Sequence, residues 1–221
     1  MQAKELISEI IPFLRVSDSG EKALTWMEIF RISHLPIVDN GQLLGIISDT
    51  DIYDLNSIKE AVVNHNLSLM KPYVLENQHI YEIINLVSNL KLTLIPVLSL
   101  DKKYLGAISM FSLLHELGKM TAIESEGGII VLEMMPHEYS MHDISRIVES
   151  NDAKILSSYI KSDPNKSSME VTLKLNKIDL SSVLRTFDRY SYNVKATYGD
   201  DSKLDTLYYD RYEMFLNYIN V

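Results

Sequence analysis

The sequence predicts a mixed α+β (α/β mixed) chain made of two unlike halves. Three observations carry this. The first half repeats itself at an interval of about sixty residues. The second half alternates strand and helix patterns in the order β-α-β-β-α-β. No apolar run approaches the ~18 residues of a membrane span.

The repeat is visible residue by residue. Pro12-Phe13-Leu14 returns as Pro72-Tyr73-Val74, and Leu35-Pro36-Ile37-Val38 returns as Ile95-Pro96-Val97-Leu98. Gly45-Ile46-Ile47-Ser48 returns one residue out of step as Gly106-Ala107-Ile108-Ser109. The extra residue falls in the turn, where Asp39-Asn40-Gly41 becomes Ser99-Leu100-Asp101-Lys102-Lys103 and length varies at least cost. Within each copy a helix follows a turn cluster, Ser17–Gly20 or Glu76–His79. Its apolar stripe is Ala23, Met27 and Phe30 in the first copy and Ile80, Ile83, Ile84 and Val87 in the second. A Pro-centred strand, a turn and a second strand ending in Gly-x-x-Ser come next. Asn40-Gly41 is a strong hairpin signal, and helical runs start at Asp49 and Met110.

The second half opens at Gly127-Gly128. Ile129–Met134 reads as a strand, Ser140-x-x-Asp143 as a capping box, and Ile144, Ile147 and Val148 as the apolar face of a short helix. Ala153–Lys161 reads as a second strand and Asp163-Pro164-Asn165 as a turn. Val171, Leu173 and Leu175 alternate with polar residues in a third strand. Asp179 is placed to cap a helix carrying Leu180, Val183, Leu184 and Phe187, and Val194, Ala196 and Tyr198 alternate in a fourth strand. This order is the ferredoxin-like arrangement. Lys203–Val221 reads as a C-terminal helix, either packed on the sheet or offering a Tyr-rich partner surface.

On these motifs the first half resembles a tandem pair of CBS domains (a Bateman module). The specific residues are His34-Leu35-Pro36-Ile37-Val38-Asp39 and Gly45-Ile46-Ile47-Ser48-Asp49-Thr50-Asp51. The second half resembles an ACT domain, and the whole resembles small bacterial CBS–ACT proteins of the acetoin-utilisation type. The implied organisation is a CBS pair over 1–120 (repeats of about 1–60 and 61–120), a linker over 121–128, and an ACT-like domain with its C-terminal helix over 129–221. In the ACT-like half His137 follows Pro136, where amino-acid-binding members carry glycine, so amino-acid binding is not implied.

The resemblance implies a non-catalytic regulatory sensor that binds an adenosine-containing ligand (AMP, ADP, ATP or similar) in the cleft between repeats. The alternative is an oligomerisation or interaction scaffold without a ligand. The candidate nucleotide-binding residues are Gly45, Ser48, Asp51, His34, Ile37 and Ser109. Glycine lets backbone approach a ligand, and a carboxylate accepts the hydroxyls of a ribose, one on each oxygen. The same spacing also suits Asp51 as a helix cap, and His34 suits either stacking on a base or packing. The second copy has Ser112 where the first has Asp51, which implies one ligand per chain. Arg15, Arg31 and His34 are the nearby cations for a phosphate.

Composition narrows the remaining classes. With no cysteine there is no disulfide framework, thiolate metal site or cysteine nucleophile. A net charge of −9 gives no general basic footprint for nucleic acid or an anionic membrane. No Walker-type loop or Gly-x-Ser-x-Gly elbow occurs, and His137 and His142 are not at a metal-ligand spacing. The expectation is a cytoplasmic homodimer, paired through the repeat helices (Ala23, Met27, Phe30, Ile80, Ile84 and Val87) or through the second half. No enzyme activity, metal or resident cofactor is expected.

Overall fold

The computed structural model describes residues 1–55, 57–64, 70–163 and 167–199. The chain divides into two compact units, Met1–Glu116 and Leu117–Val221. The turn at Pro164-Asn165 and the C-terminal helix read at 203–221 lie outside the described residues.

In the first unit both repeats use the same local devices. Helix α1 (Gly20–Phe30) begins at Ser19, whose hydroxyl accepts from the Lys22 N–H at 3.3 Å. It ends at Arg31 with φ 52°. Sixty residues on, α3 (Ile80–Leu90) ends at Lys91 with φ 53°, so each helix stops on one left-handed residue. Strands β1 (His34–Asp39) and β2 (Gln42–Ser48) pair antiparallel around Asn40-Gly41, whose φ values of 47° and 76° fit a type I′ turn. Strands β4 (Leu94–Leu98) and β5 (Tyr104–Ser109) form the matching hairpin. Both hairpins shift register at the same place, Ile37/Val38 and Val97/Leu98. Strand β3 (Val74–Leu75) joins β4 in parallel, and Leu14 bridges Ile37 in the same sense. Helices α2 (Asp49–Tyr53) and α4 (Met110–Met120) begin where the repeat pattern places them.

The repeats exchange their ends. Ala3 and Leu6 pack in the core of the second repeat with Ile80, Ile83 and Ile95, and Ile46 joins them. Val62 packs in the core of the first repeat with Ala23, Ile37 and Ile52, together with Leu94 and Ala107 from the second. Backbone bonds fix the exchange: Ala3 N–H donates to Gln78 at 2.9 Å, and Val62 N–H donates to Asp18 at 2.8 Å. Each core therefore needs residues from both copies. A cut at residue 60 would remove Val62 from one core and leave Ala3 and Leu6 without the other.

The helix stripes expected to pair two copies are instead largely interior. Ala23, Met27, Ile80 and Val87 are buried in these cores, while Phe30 and Ile84 are half-buried against them. Other apolar side chains on the unit's helices are exposed, among them Ile29, Tyr53, Tyr81, Leu90, Met110, Phe111 and Leu114.

The second unit is a four-stranded antiparallel sheet of β6 (Ile129–Met134), β7 (Ile155–Ser162), β8 (Met169–Leu175) and β9 (Asn193–Tyr198). Its spatial order is β7-β8-β6-β9, the ferredoxin-like order. Helices α5 (Met141–Glu149) and α6 (Ser181–Arg189) bury Ile144, Ile147, Val148, Val183 and Phe187 against Ile130, Leu132, Val171 and Leu173.

Three sequence expectations need correction here. Ser140 accepts from the Asp143 N–H at 3.2 Å, but the Asp143 carboxylate turns to Arg146 at 3.1 Å, so only half of a capping box forms. Leu180, not Asp179, occupies the N-cap of α6; Asp179 reaches past it to accept from the Ser181 N–H at 3.1 Å. The second strand also starts two residues later than its apolar pattern, because the backbone at Asp152 is left-handed (φ 53°) and carries the chain out of α5 first.

Candidate functional site

The residues singled out in the first repeat fall into two groups along one hairpin. His34 opens β1 and faces Ser48, the last residue of β2; Ile37 faces Gly45 three steps further along. His34, Ser48 and Asp51 therefore meet at the open end of the hairpin. Ile37 is 2% exposed and belongs to the repeat core, so it shapes the strand from inside. Gly45 is buried in β2.

Ser48 and Asp51 form a complete capping box at the start of α2. The Asp51 N–H donates to Ser48 Oγ at 3.1 Å, and Asp51 Oδ2 accepts from the Ser48 N–H at 2.8 Å and the Ser48 hydroxyl at 2.7 Å. Thr50 Oγ1 lies 2.8 Å from Ser48 Oγ. Both acceptor positions of Oδ2 are thus filled, while Oδ1 has no hydrogen bond among the described residues. The box answers one question left open by the spacing: Asp51 is a cap. It also revises the other, since the cap occupies one carboxylate oxygen and leaves the second exposed to solvent.

The second repeat reproduces the cap without the charge. The Ser112 N–H donates to Ser109 Oγ at 3.0 Å, and the two hydroxyls lie 2.8 Å apart. Ser109 is 8% exposed. Next to it, the N-terminal segment covers β5: the Ser8 N–H donates to Ala107 at 3.0 Å, and a Cβ on Gly106 would sit 2.5 Å from Ile7 Cγ2. The space that a glycine would open to a ligand is filled here by the chain's own isoleucine.

The repeats also touch where β1 and β4 begin. The Ser33 N–H donates to Thr93 Oγ1 at 3.0 Å, and the Thr93 N–H donates to His34 Nδ1 at 3.3 Å. Matching backbone bonds close the two hairpins, Asp49 N–H to Ser33 at 3.1 Å and Met110 N–H to Thr93 at 2.9 Å. Across this pseudo-symmetric junction the partners differ in kind. His34, Asp49 and Asp51 of the first repeat correspond to Leu94, Met110 and Ser112 of the second. In these three pairs the ionisable groups are all on the first-repeat side. Burial lowers the pKa of His34 from its ordinary value, and the Asp49 and Asp51 carboxylates oppose that shift without reversing it. His34 and Thr93 are the pair that single-residue reading missed. The signal was the repeat itself, which aligns Ser33 with Thr93.

Arg15 and Arg31, considered for phosphate contact, line two different cavities. Arg15 lines a cavity of about 480 Å³ with Phe13, Asp39, Gly41 and Tyr104 at the far end of the hairpin. Arg31 lines one of about 510 Å³ between α1 and α2, with Glu21, Glu28, Asp49 and Tyr53.

In the second unit the loop after β6 is a 3-10 turn, Pro136–Glu138. Its Glu138 carboxylate accepts from the Met135 N–H at 2.8 Å, so the loop's own side chain occupies that donor. Among the described residues no group of three or more His, Asp or Glu is placed to hold a metal ion. No helix among them is long and apolar enough to cross a membrane.

Comparison with known proteins finds partial matches. The chain is similar over part of its length to a CBS domain pair/ACT domain protein from Thermotoga maritima, with 22% identity, 54% of this chain and 98% of that chain covered, and a TM-score of 0.48. It is similar to CBSX2, solved in complex with AMP, at 17% identity over 53% of this chain and 97% of that one, with a TM-score of 0.46. It is also similar to the CBS domain of a bacterial CNNM/CorC family Mg2+ transporter, solved in complex with ATP, at 15% identity over 53% and 87% with a TM-score of 0.43. The model of the CBS domain family matches residues 3–57, the stretch that carries the first hairpin and the Ser48–Asp51 box.

Proposed function

We propose that the protein is a non-catalytic sensor whose first unit binds an adenosine-containing ligand at the open end of the first hairpin. The observation that carries this reading is Asp51. Its Oδ2 is fixed by Ser48 while its Oδ1 is free of hydrogen bonds among the described residues, so the cap holds a carboxylate oxygen still and presents it to solvent. A positioned carboxylate oxygen has two acceptor sites, enough for both hydroxyls of one ribose. Ser48 and His34 complete the first-repeat side at that end, Gly45 lies three residues back along β2, and Ser109 corresponds to Ser48 in the second repeat. Ile37 acts from the core beneath them.

Only one site per chain is proposed. Ser112 has no carboxylate, and Ile7 fills the space over Gly106. Regulation then follows from unequal binding: a ligand that touches both repeats favours whichever arrangement brings them together. The ligand-free scaffold is the rival, because the capping box gives Asp51 a structural role that needs no ligand.

A thermal-shift panel of AMP, ADP, ATP and other adenosyl compounds tests the proposal. A rise in melting temperature with at least one of them supports it, and no response at millimolar concentration rejects it in favour of the scaffold.

A homodimer belongs to the same proposal, through the exposed side chains rather than the buried stripes. Met110, Phe111 and Leu114 on α4 form an apolar strip with Phe111 79% exposed. Light scattering at micromolar concentration is expected to return twice the chain mass, and Phe111→Glu is expected to lower it toward 25.3 kDa. A single-chain mass for the unaltered protein would refute the dimer.

A further inference from the structure

His34 is bonded to the second repeat through Nδ1, and the bond it accepts from the Thr93 backbone needs an unprotonated nitrogen. A backbone N–H is an obligatory donor, so the Thr93 N–H reaches Nδ1 only while that nitrogen keeps its lone pair. Thr93 Oγ1 accepts from the Ser33 N–H at 3.0 Å and lies 3.0 Å from the same Nδ1, where either atom donates according to the tautomer. The Thr93 N–H aimed at Nδ1 is matched by the neutral tautomer with its proton on Nε2. The charged groups acting on it are Asp49 and Asp51 of α2; its partner across the junction, Thr93, is uncharged, as is the neighbouring Ser33. The second repeat has Leu94 at the corresponding position, so the fold contains no symmetric copy of this bond.

We propose that His34 is a proton-operated joint between the two repeats. With a neutral ring the joint is closed, and a proton arriving at Nδ1 replaces an acceptor with a donor facing the Thr93 N–H. The bond is lost, and the imidazolium is drawn toward Asp49 and Asp51. The device extends beyond nucleotide binding, because it works in the ligand-free chain and changes how the repeats are held together.

Its sign is fixed by burial. Because the folded protein holds the His34 pKa below the unfolded value of about 6.5, the contribution to stability is complete above that pH. It is lost as pH falls from about 6.5 toward the lower folded value. A closed joint at neutral pH and a released one in mild acid are the two states.

The experiment uses ligand-free full-length protein. Nitrogen NMR of the imidazole at pH 7.5 is expected to show the Nε2–H tautomer, and acidification is expected to shift the Thr93 amide with the same midpoint as His34, below about 6.5. A Nδ1–H tautomer at pH 7.5, or a Thr93 amide indifferent to the His34 titration, would overturn the proposal. In parallel, melting temperatures at pH 7.5 and 5.5 are compared for the wild type and His34→Gln, which keeps an acceptor but does not titrate. The acid-induced drop should be smaller in the variant by roughly 2–4 °C, and an equal drop would count against the joint. If His34→Gln does not fold, the wild-type titration decides alone. Because no nucleotide is present, failure here is distinct from failure to bind a ligand.

Discussion

Asp51→Ala should give a folded protein whose melting temperature no longer responds to an adenosyl ligand. At a ligand concentration one hundred times Kd, the wild type should gain about 2.7 kcal/mol and the variant nothing. The ligand-free baseline will also move, because the substitution removes the carboxylate that accepts from the Ser48 N–H and hydroxyl. A lost cap costs about 0.5–2 kcal/mol, so the two effects are of similar size and must be separated. The ligand-induced increment, measured from each protein's own baseline, separates them. Asp51→Asn sharpens the comparison, since its amide oxygen keeps an acceptor for Ser48 while an NH2 donor replaces the carboxylate oxygen that faces the ligand. If the increment survives in both variants, Asp51 is a cap and nothing more.

Phe187→Ala should be the most damaging single truncation in the second unit. Phe187 is 0% exposed at the centre of the sheet–helix core, and its ring meets Tyr192 edge to face at 5.5 Å. Replacing such a ring with a methyl group costs about 3–5 kcal/mol through lost burial and the cavity left behind. Urea unfolding should show that loss in the transition assigned to the second unit. The adenosyl response should persist, because the proposed site lies wholly in residues of the first unit. A loss under about 1 kcal/mol would mean that the core closes around the gap.

Much of the fold was readable because its signals are local. The Pro-centred apolar run and the Asn40-Gly41 turn mark β1 and the start of β2 within a few residues, and the alternation from Met169 to Leu175 marks β8. Helix starts at Asp49 and Met110 follow from the residues that end the preceding strands. The ferredoxin-like strand order followed from the element order, since each helix must carry the chain back across the sheet.

What the sequence hid is long-range. Nothing local says that Ala3 and Leu6 pack with the second repeat while Val62 packs with the first. Burial of the Ala23–Met27 stripe reads the same whether it faces its own core or a second copy, and only the structure assigns it to its own core. At the site, the spacing of Ser48 and Asp51 fits a cap and a ligand carboxylate equally; only the geometry shows that one oxygen is engaged and the other is not. The His34–Thr93 bond joins residues about sixty apart and needs the pseudo-symmetric junction to bring them together.

The central claim, one adenosyl site per chain built on Asp51, is tested most directly by isothermal titration calorimetry with the ligand that raises the melting temperature most. The account predicts one molecule bound per chain in the wild type and no measurable heat with Asp51→Ala. Two equivalent sites per chain, or unchanged binding in the variant, would contradict it.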